Sequence, residues 1–362
     1  MGWAGAGSPD RVRTGAVLLF GMTEEALVGW ARSRGATPGA ARALARFILA
    51  RSAGRPSPEK PSGKLLAQLE ASFALPPAEV AGAADGTVRF AVRLDDGEVV
   101  ETVLIHQPVS DLRSRERWTV CVSSQVGCAR GCVFCETGRL GLKRNLAAAE
   151  IVAQYALAVR HLRLRPANVV FMGMGEPLDN LEEVLRAIAV LREPSGFAVA
   201  ERRITVSTVG IVPRMGELFA RTKAQVAVSL HAVDPGQRHA LLPVARKWGL
   251  SELRDCIARA PRTILLQWTL IEGVNDGDPD ADALAGFCEG LDVRVNLIPL
   301  NPGPDPSLRA PPLERCRTFQ KRLADRGLRT LLRLPHGRSV GGACGQLSGR
   351  LRESASALME SR

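Results

Sequence analysis

Two hydrophobic rhythms divide the chain. From Thr23 the apolar positions recur at helical spacing. Ala26, Leu27, Trp30 and Ala31 share one face behind a capped, acidic start at Thr23, Glu24 and Glu25. A second helix is predicted from Pro38 through Leu44, Phe47 and Ile48, then a short one around Leu65–Leu69, with the proline-rich stretch Gly54–Gly63 as a linker. Thr87–Leu94 alternates apolar and polar, Asp95-Asp96-Gly97 turns the chain, and Glu98–Ile105 returns, which predicts a hairpin. Beyond Val120 short β-branched runs alternate with helical patterns. The predicted strands are Thr119–Ser123, Asn168–Met172, Ile204–Thr208, Gln225–Leu230, Thr263–Leu270 and Val293–Ile298. Six strands separated by helices imply βαβ units on a parallel sheet. Six units are too few for a closed eight-fold barrel. The expected fold is therefore α/β, a partial (β/α)6 barrel preceded by a small helical module and a β-hairpin. In such a barrel the chemistry belongs in the loops after the C-terminal strand ends.

The expected organisation is a loose tail over residues 1–22, the helical module plus hairpin over 23–105, an irregular charged insertion over 106–117, the barrel core over 118–347 and a C-terminal tail over 348–362. Composition narrows the class. Apolar residues make up 46% of the chain, enough for a large core, and no apolar run approaches the roughly 18–20 residues that cross a bilayer. Gly15–Met22 is too short for a signal sequence, so a soluble, cytoplasmic protein without membrane contact, and a monomer, is expected. The net charge of +11 points to an anionic partner such as nucleic acid, an arginine-rich composition being the plainer explanation. From Arg309 to Arg338 the chain carries nine Lys or Arg against Glu314 and Asp325. With Lys143, Arg144, Arg202 and Arg203 this stretch could form a phosphate-binding face, or simply a solvated helix surface.

Eight cysteines without a secretion signal suggest metal ligands or catalytic thiols rather than disulfides. Cys128-Ala-Arg-Gly-Cys132-Val-Phe-Cys135 places three of them in the loop after the first barrel strand. A structural zinc site is closed by four ligands, and a distant Cys or His would have to complete one here. Three ligands on an iron–sulfur cluster instead leave one iron open. One βα unit later, Gly173-Met-Gly175-Glu176-Pro177 follows an apolar strand, offering exposed backbone and a carboxylate for an ammonium group. Cys256, Cys288 and Cys316 sit in helical patterns among apolar neighbours and read as core.

The cysteine loop at the top of the first strand, with Phe134 before its third ligand and the Gly-Glu loop behind it, resembles the radical S-adenosylmethionine superfamily. Cys121-Val-Ser-Ser-Gln-Val-Gly-Cys128, Arg139–Leu146, Ser229-Leu-His231-Ala232, Asn296–Pro302 and Gly341-Gly-Ala-Cys344-Gly-Gln-Leu narrow this to a resemblance to the RlmN/Cfr family of RNA methyltransferases, from about Thr23 to Leu347. The resemblance implies methylation of an adenine ring carbon in 23S ribosomal RNA and in some members transfer RNA; Gly175-Glu176-Pro177 favours carbon 2, with methylation at carbon 8 left open as an alternative. It implies two S-adenosylmethionine molecules per turnover, a methyl-cysteine intermediate and a transient disulfide. A radical enzyme acting on a substrate other than RNA is the alternative. It implies a [4Fe–4S] cluster on Cys128, Cys132 and Cys135, reduced by a donor such as flavodoxin, and S-adenosylmethionine contacts at Gly175, Glu176, Ser207, Ser229, Leu230, His231 and Asn301. Cys344 would carry the methyl group on a flexible segment, Cys121 would release the product, and Glu101 would accept the ring proton. Two departures stand out: His106–Arg117 is an insertion, which bears on Glu101, and Glu136 follows the last cluster cysteine where a small residue is usual.

Overall fold

The computed structural model describes residues 21–57, 59, 61, 75–109 and 115–349. The helix expected around Leu65–Leu69, nearly all of both tails and the middle of the 106–117 insertion lie outside them.

Helices α1 (Glu24–Ser33) and α2 (Pro38–Ser52) form where the apolar spacing predicts. Thr23 Oγ1 accepts from Ala26 N at 3.3 Å and Thr37 Oγ1 from Ala40 N at 3.4 Å, so each helix starts on a threonine cap. The pair closes a small core around Leu27, Ala31, Leu44 and Ile48. The strands follow as β1 (Ala78–Gly82), β2 (Val88–Arg93), β3 (Val99–Gln107), β4 (Arg117–Cys121), β5 (Gln125–Cys128), β6 (Gly141–Asn145), β7 (Asn168–Phe171), β8 (Ile204–Thr208), β9 (Gln225–Ser229), β10 (Ile264–Leu270), β11 (Val293–Pro299) and β12 (Thr330–Leu332). One ten-stranded sheet runs β1-β2-β3-β4-β7-β8-β9-β10-β11-β12, while β5 and β6 pair separately. From β4 to β12 every neighbour is parallel; β1, β2 and β3 add an antiparallel extension at the β4 edge.

All six predicted barrel strands are present, between helices α3 (Glu136–Arg139), α4 (Ala148–Leu162), α5 (Leu181–Arg192), α6 (Val212–Arg221), α7 (Pro235–Leu241), α8 (Leu250–Ala258), α9 (Asp278–Cys288) and α10 (Leu313–Asp325). Outward residues such as Val206, Val226, Ile264, Leu266 and Val295 pack under these helices, and α10 adds Cys316, Phe319 and Leu323 at helical spacing. Cys256, Cys288 and Cys316 are buried in this core, as their apolar neighbours suggest.

Three features depart from the sequence reading. The hairpin is not part of the helical module: Val103 pairs with Cys121 and His106 with Trp118, so β3 is the neighbour of β4 in the barrel's own sheet. The ends of the 106–117 insertion are strand, not irregular, and His106 stacks on Trp118 at 4.3 Å. A seventh parallel strand, β12, sits inside the basic stretch, where three residues between arginines give no readable alternation. Residues of β3 and β4 wall one cavity together with β12 and the segment after it, so the sheet curls until its first and last parallel strands face each other across a seam.

Candidate active site

The loop carrying the three clustered cysteines is framed by the β5–β6 hairpin. Gly127 has φ +76° and lies so close to β6 that a Cβ would meet Gly141 O at 1.9 Å, so only glycine fits. Turn bonds from Cys135 N to Cys132 O and from Gly138 N to Cys135 O, each 3.1 Å, shape the loop. Cys128, Cys132 and Cys135 open on a cavity that Gly175, Glu176, Ser207, Ser229, His231 and Asn301 also line. Leu230 is fully buried and does not line it; its backbone N donates to Gln267 O at 3.0 Å. Among the described residues no three His, Cys, Asp or Glu side chains converge tightly enough to hold a single ion. Soft sulfur donors spread around a common cavity suit a larger iron–sulfur group. Burial pushes all three thiols up, a cost that binding as thiolates to a metal centre removes.

The Gly-Glu loop is built for close approach on its own side of the cavity. A Cβ on Gly173 would sit 2.7 Å from Ser123 Oγ, and one on Gly175 (φ +98°) 2.6 Å from Gln125 Cβ. These glycines are thus needed by the segment after β4, besides opening backbone to a ligand. Glu176 N donates to Gln125 Oε1 at 2.8 Å, while its carboxylate accepts from Leu178 N at 3.0 Å and Val209 N at 2.9 Å. Burial pushes its carboxyl up to about 7 despite those donors.

His231 (φ +59°) is held by its ring: Nδ1 accepts from Thr269 N at 2.9 Å, and Phe134 meets it edge-on at 4.9 Å. Burial keeps the imidazole neutral, its pKa lowered to about 3 with the Arg238 guanidinium adding to the effect. Gln267, unnoticed in the sequence because it stands alone in an apolar strand, accepts from Ser207 Oγ at 3.2 Å and Ser229 Oγ at 3.5 Å. It walls this cavity and a second one behind it.

The second cavity fills the seam between β3–β4 and β12. Cys121 and Cys344 both line it as free thiols, and Cys344 also lines the first cavity. Cys344 is exposed and lines both cavities. Burial pushes its thiol up, and the Arg333 guanidinium opposes this. Burial pushes Cys121 up as well, and the nearby Cys344 adds to it.

The expectation of a flexible Cys344 segment meets a different picture. Asp85 Oδ2 accepts from Gly337 N at 2.8 Å, Asn301 Nδ2 donates to Cys344 O at 3.0 Å, and Glu136 N donates to Gly345 O at 2.8 Å. Thr137 Oγ1 donates to Leu347 O at 2.7 Å. Glu101 Oε2 then accepts from Ser348 N at 2.6 Å and Gly349 N at 3.0 Å, while Oε1 pairs with Arg89. The segment is a strap fixed at one end to the turn between β1 and β2 and at the other to β3. Glu101 is 1% exposed and lines neither cavity. Because β3 turns it toward the strap, its carboxylate is occupied and not free to act as a base in this arrangement.

The basic stretch is neutralised in part, along α10. Arg315 and Arg322 pair with Asp278, Arg322 and Arg326 with Asp282, and Lys321 with Asp325. Lys143 and Arg144 are bound by Glu98, Asp96 and Glu150. Apart from Asp325 and Glu150, these acidic partners are distant in sequence, which made the cations look free.

A model of the radical SAM superfamily matches residues 122–284. The chain is 46% identical over 345 residues to a probable RNA methyltransferase of Sorangium cellulosum, covering 89% of this chain and 85% of that protein. It is 45% identical to a dual-specificity RNA methyltransferase RlmN of Syntrophobacter fumaroxidans, over 73% of this chain and 77% of that one. A crystal structure of a radical SAM methyltransferase from Sphaerobacter thermophilus superposes with a TM-score of 0.83 at 36% identity, over 92% of this chain and 99% of that chain.

Proposed function

The chain belongs to the RlmN/Cfr family of radical S-adenosylmethionine RNA methyltransferases, and on that premise we propose that it methylates carbon 2 of an adenine in 23S ribosomal RNA and, as a second substrate, transfer RNA. One observation carries the reading: Cys344 stands where two cavities meet, facing the three clustered cysteines on one side and Cys121 on the other.

In this reading Cys128, Cys132 and Cys135 would hold a [4Fe–4S] cluster, and Glu176, Ser207, Ser229 and Asn301 would hold S-adenosylmethionine, with Gly175 and the backbone at His231 beside it. When bound and reduced by a donor such as flavodoxin, these groups supply one-electron cleavage and a methyl group. Glu176 receives the ammonium of the methionine portion, for which its buried carboxylate has to ionise. The seam cavity takes the adenine, which must leave its stack at a cost of a few kcal/mol. Cys344 Sγ gives up its proton, helped by Arg333, and accepts a methyl group. The bound cofactors would supply the loss of one hydrogen atom from that methyl group and of one electron once its carbon has bonded the ring, leaving adenine linked through this carbon to the Cys344 sulfur; the Cys121 thiolate then attacks that sulfur, the sulfur–carbon bond breaks as the disulfide forms, and the freed carbon takes up a proton to become the methyl group. Two S-adenosylmethionine molecules are consumed per turnover. The ring proton goes to Glu101, whose Oε2 becomes available when Ser348 and Gly349 lift away.

Mass spectrometry of nucleosides after single-turnover incubation with RNA tests this. Cys344→Ala is expected to abolish methyl transfer, and Cys121→Ala to accumulate a covalent protein–RNA adduct. Full methylation by Cys344→Ala would overturn the carrier role, and a methyl group on carbon 8 would overturn the assignment of the ring position.

A further inference from the structure

A third cavity opens at the barrel end opposite the cysteine loop. Its walls are residues at the starts of parallel strands, Thr205, Gln225 and Arg294, joined by Asn296 and by Arg329 and Arg333 on either side of β12. Parallel strands begin at one common end, so alternation along each brings these polar side chains to one interior surface.

Three features of this surface point the same way. No carboxylate lines it; Asp292, which accepts from Thr263 Oγ1 at 2.8 Å, touches a lining residue from outside the lining. Arg294, Arg329 and Arg333 form no ion pair among the described residues, unlike Arg315, Arg322 and Arg326 on α10. Asn296, 2% exposed, has an Nδ2 that finds no acceptor. A buried amide donor left unmatched is costly and rare in a native protein. Together these are donors in search of acceptor oxygens. Guanidiniums in this setting match the geometry of a phosphate.

The cavity is not isolated. Leu331 and Arg333 also line the seam cavity that holds Cys121 and Cys344. We propose that the cavity at the strand-start end binds a backbone phosphodiester of the RNA strand whose adenine occupies the seam. This rests on the functional reading above and adds a second foothold, inside the barrel, for the same strand.

The test uses the full chain and a short single-stranded oligoribonucleotide containing adenine. Its affinity is followed by fluorescence anisotropy from 50 to 200 mM KCl. Arg294→Gln combined with Arg329→Gln is expected to flatten the slope of log affinity against log salt by roughly one, the signature of a lost phosphate contact. Arg309→Gln combined with Arg317→Gln removes the same charge from positions outside the cavity lining and is expected to leave the slope close to that of the unaltered chain. Equal slopes in all three proteins would overturn the proposal. A parallel arm measures the melting temperature with added inorganic phosphate. If phosphate stabilises the unaltered chain but not the Arg294/Arg329 variant, while the RNA slopes coincide, the cavity holds a free phosphate and the RNA assignment is overturned. Methyl transfer by the unaltered chain is scored separately. Its absence would remove the functional reading, whereas methylation with coincident slopes would remove this site alone.

Discussion

Replacing Glu101 by Gln separates the two tasks its carboxylate performs. One oxygen neutralises Arg89, which is 5% exposed, and the other accepts two backbone N–H bonds from the strap at Ser348 and Gly349. Breaking a buried ion pair while leaving one charge behind costs about 3–5 kcal/mol, because the orphaned charge stays desolvated. At the strap, two charge-assisted bonds become neutral ones. Charge-assisted bonds contribute about 1.5–3 kcal/mol and neutral ones nearer 1, so the loss over the two bonds is about 1–4 kcal/mol and the strap opens roughly 5- to 900-fold more often. Urea unfolding reads the first quantity, and hydrogen exchange of the peptide spanning residues 345–349 reads the second. Adding Arg89→Met to Glu101→Gln is expected to restore most of the global stability, since the orphaned charge is gone. It should leave exchange at Ser348 and Gly349 fast. If restoring stability also restores protection, Glu101 does not hold the strap and the reasoning fails.

Two further outcomes follow from the site. Glu176 has its pKa raised to about 7, above the ordinary carboxylate value, so the folded protein favours the protonated form. Its contribution to stability is therefore full below about pH 4 and lost as pH rises through about 7. Binding an ammonium needs the opposite form, so affinity for S-adenosylmethionine, followed by calorimetry, should weaken about tenfold per pH unit below 7. Glu176→Gln should bind weakly without that dependence, and a flat profile in the unaltered protein would count against the assignment. Gly175→Ala must place a Cβ 2.6 Å from Gln125 at φ +98°. A loss of about 1–3 kcal/mol of stability is expected, with S-adenosylmethionine binding impaired; a melting temperature equal to that of the unaltered chain would contradict the packing described.

The barrel was legible because its strands are apolar on the helix-covered face and bounded by turns, so period and flanks agree at all six. The cysteine loop was legible because chemistry confines ligand spacing to a few residues. What stayed hidden depends on contacts distant in sequence. Gln267 gains meaning only where β9 and β10 bring Ser229 beside it. Arg322 looked free until α9 supplied Asp278 and Asp282, 40 or more residues away. Glu101 reads as an isolated acid in a strand. Its partners lie at Arg89 across the hairpin and at Ser348, 247 positions downstream, and no local pattern encodes such a meeting.

The antiparallel strands flanking β4 also bear on colloidal behaviour. Unpaired strand borders invite neighbouring molecules to dock in register, and proteins blunt them with brevity and charge. Here one border is the five-residue β1, carrying Glu79, and the other is the three-residue β12, bracketed by Arg329 and Arg333. A fragment beginning at Arg117 would strip β3 from β4 and expose that strand's hydrogen-bonding row, with Val120 and Cys121 beside it. Such a truncated barrel would keep its cysteine loop but gain a tendency to clump, which makes the hairpin a safeguard of solubility as well as a mount for the strap.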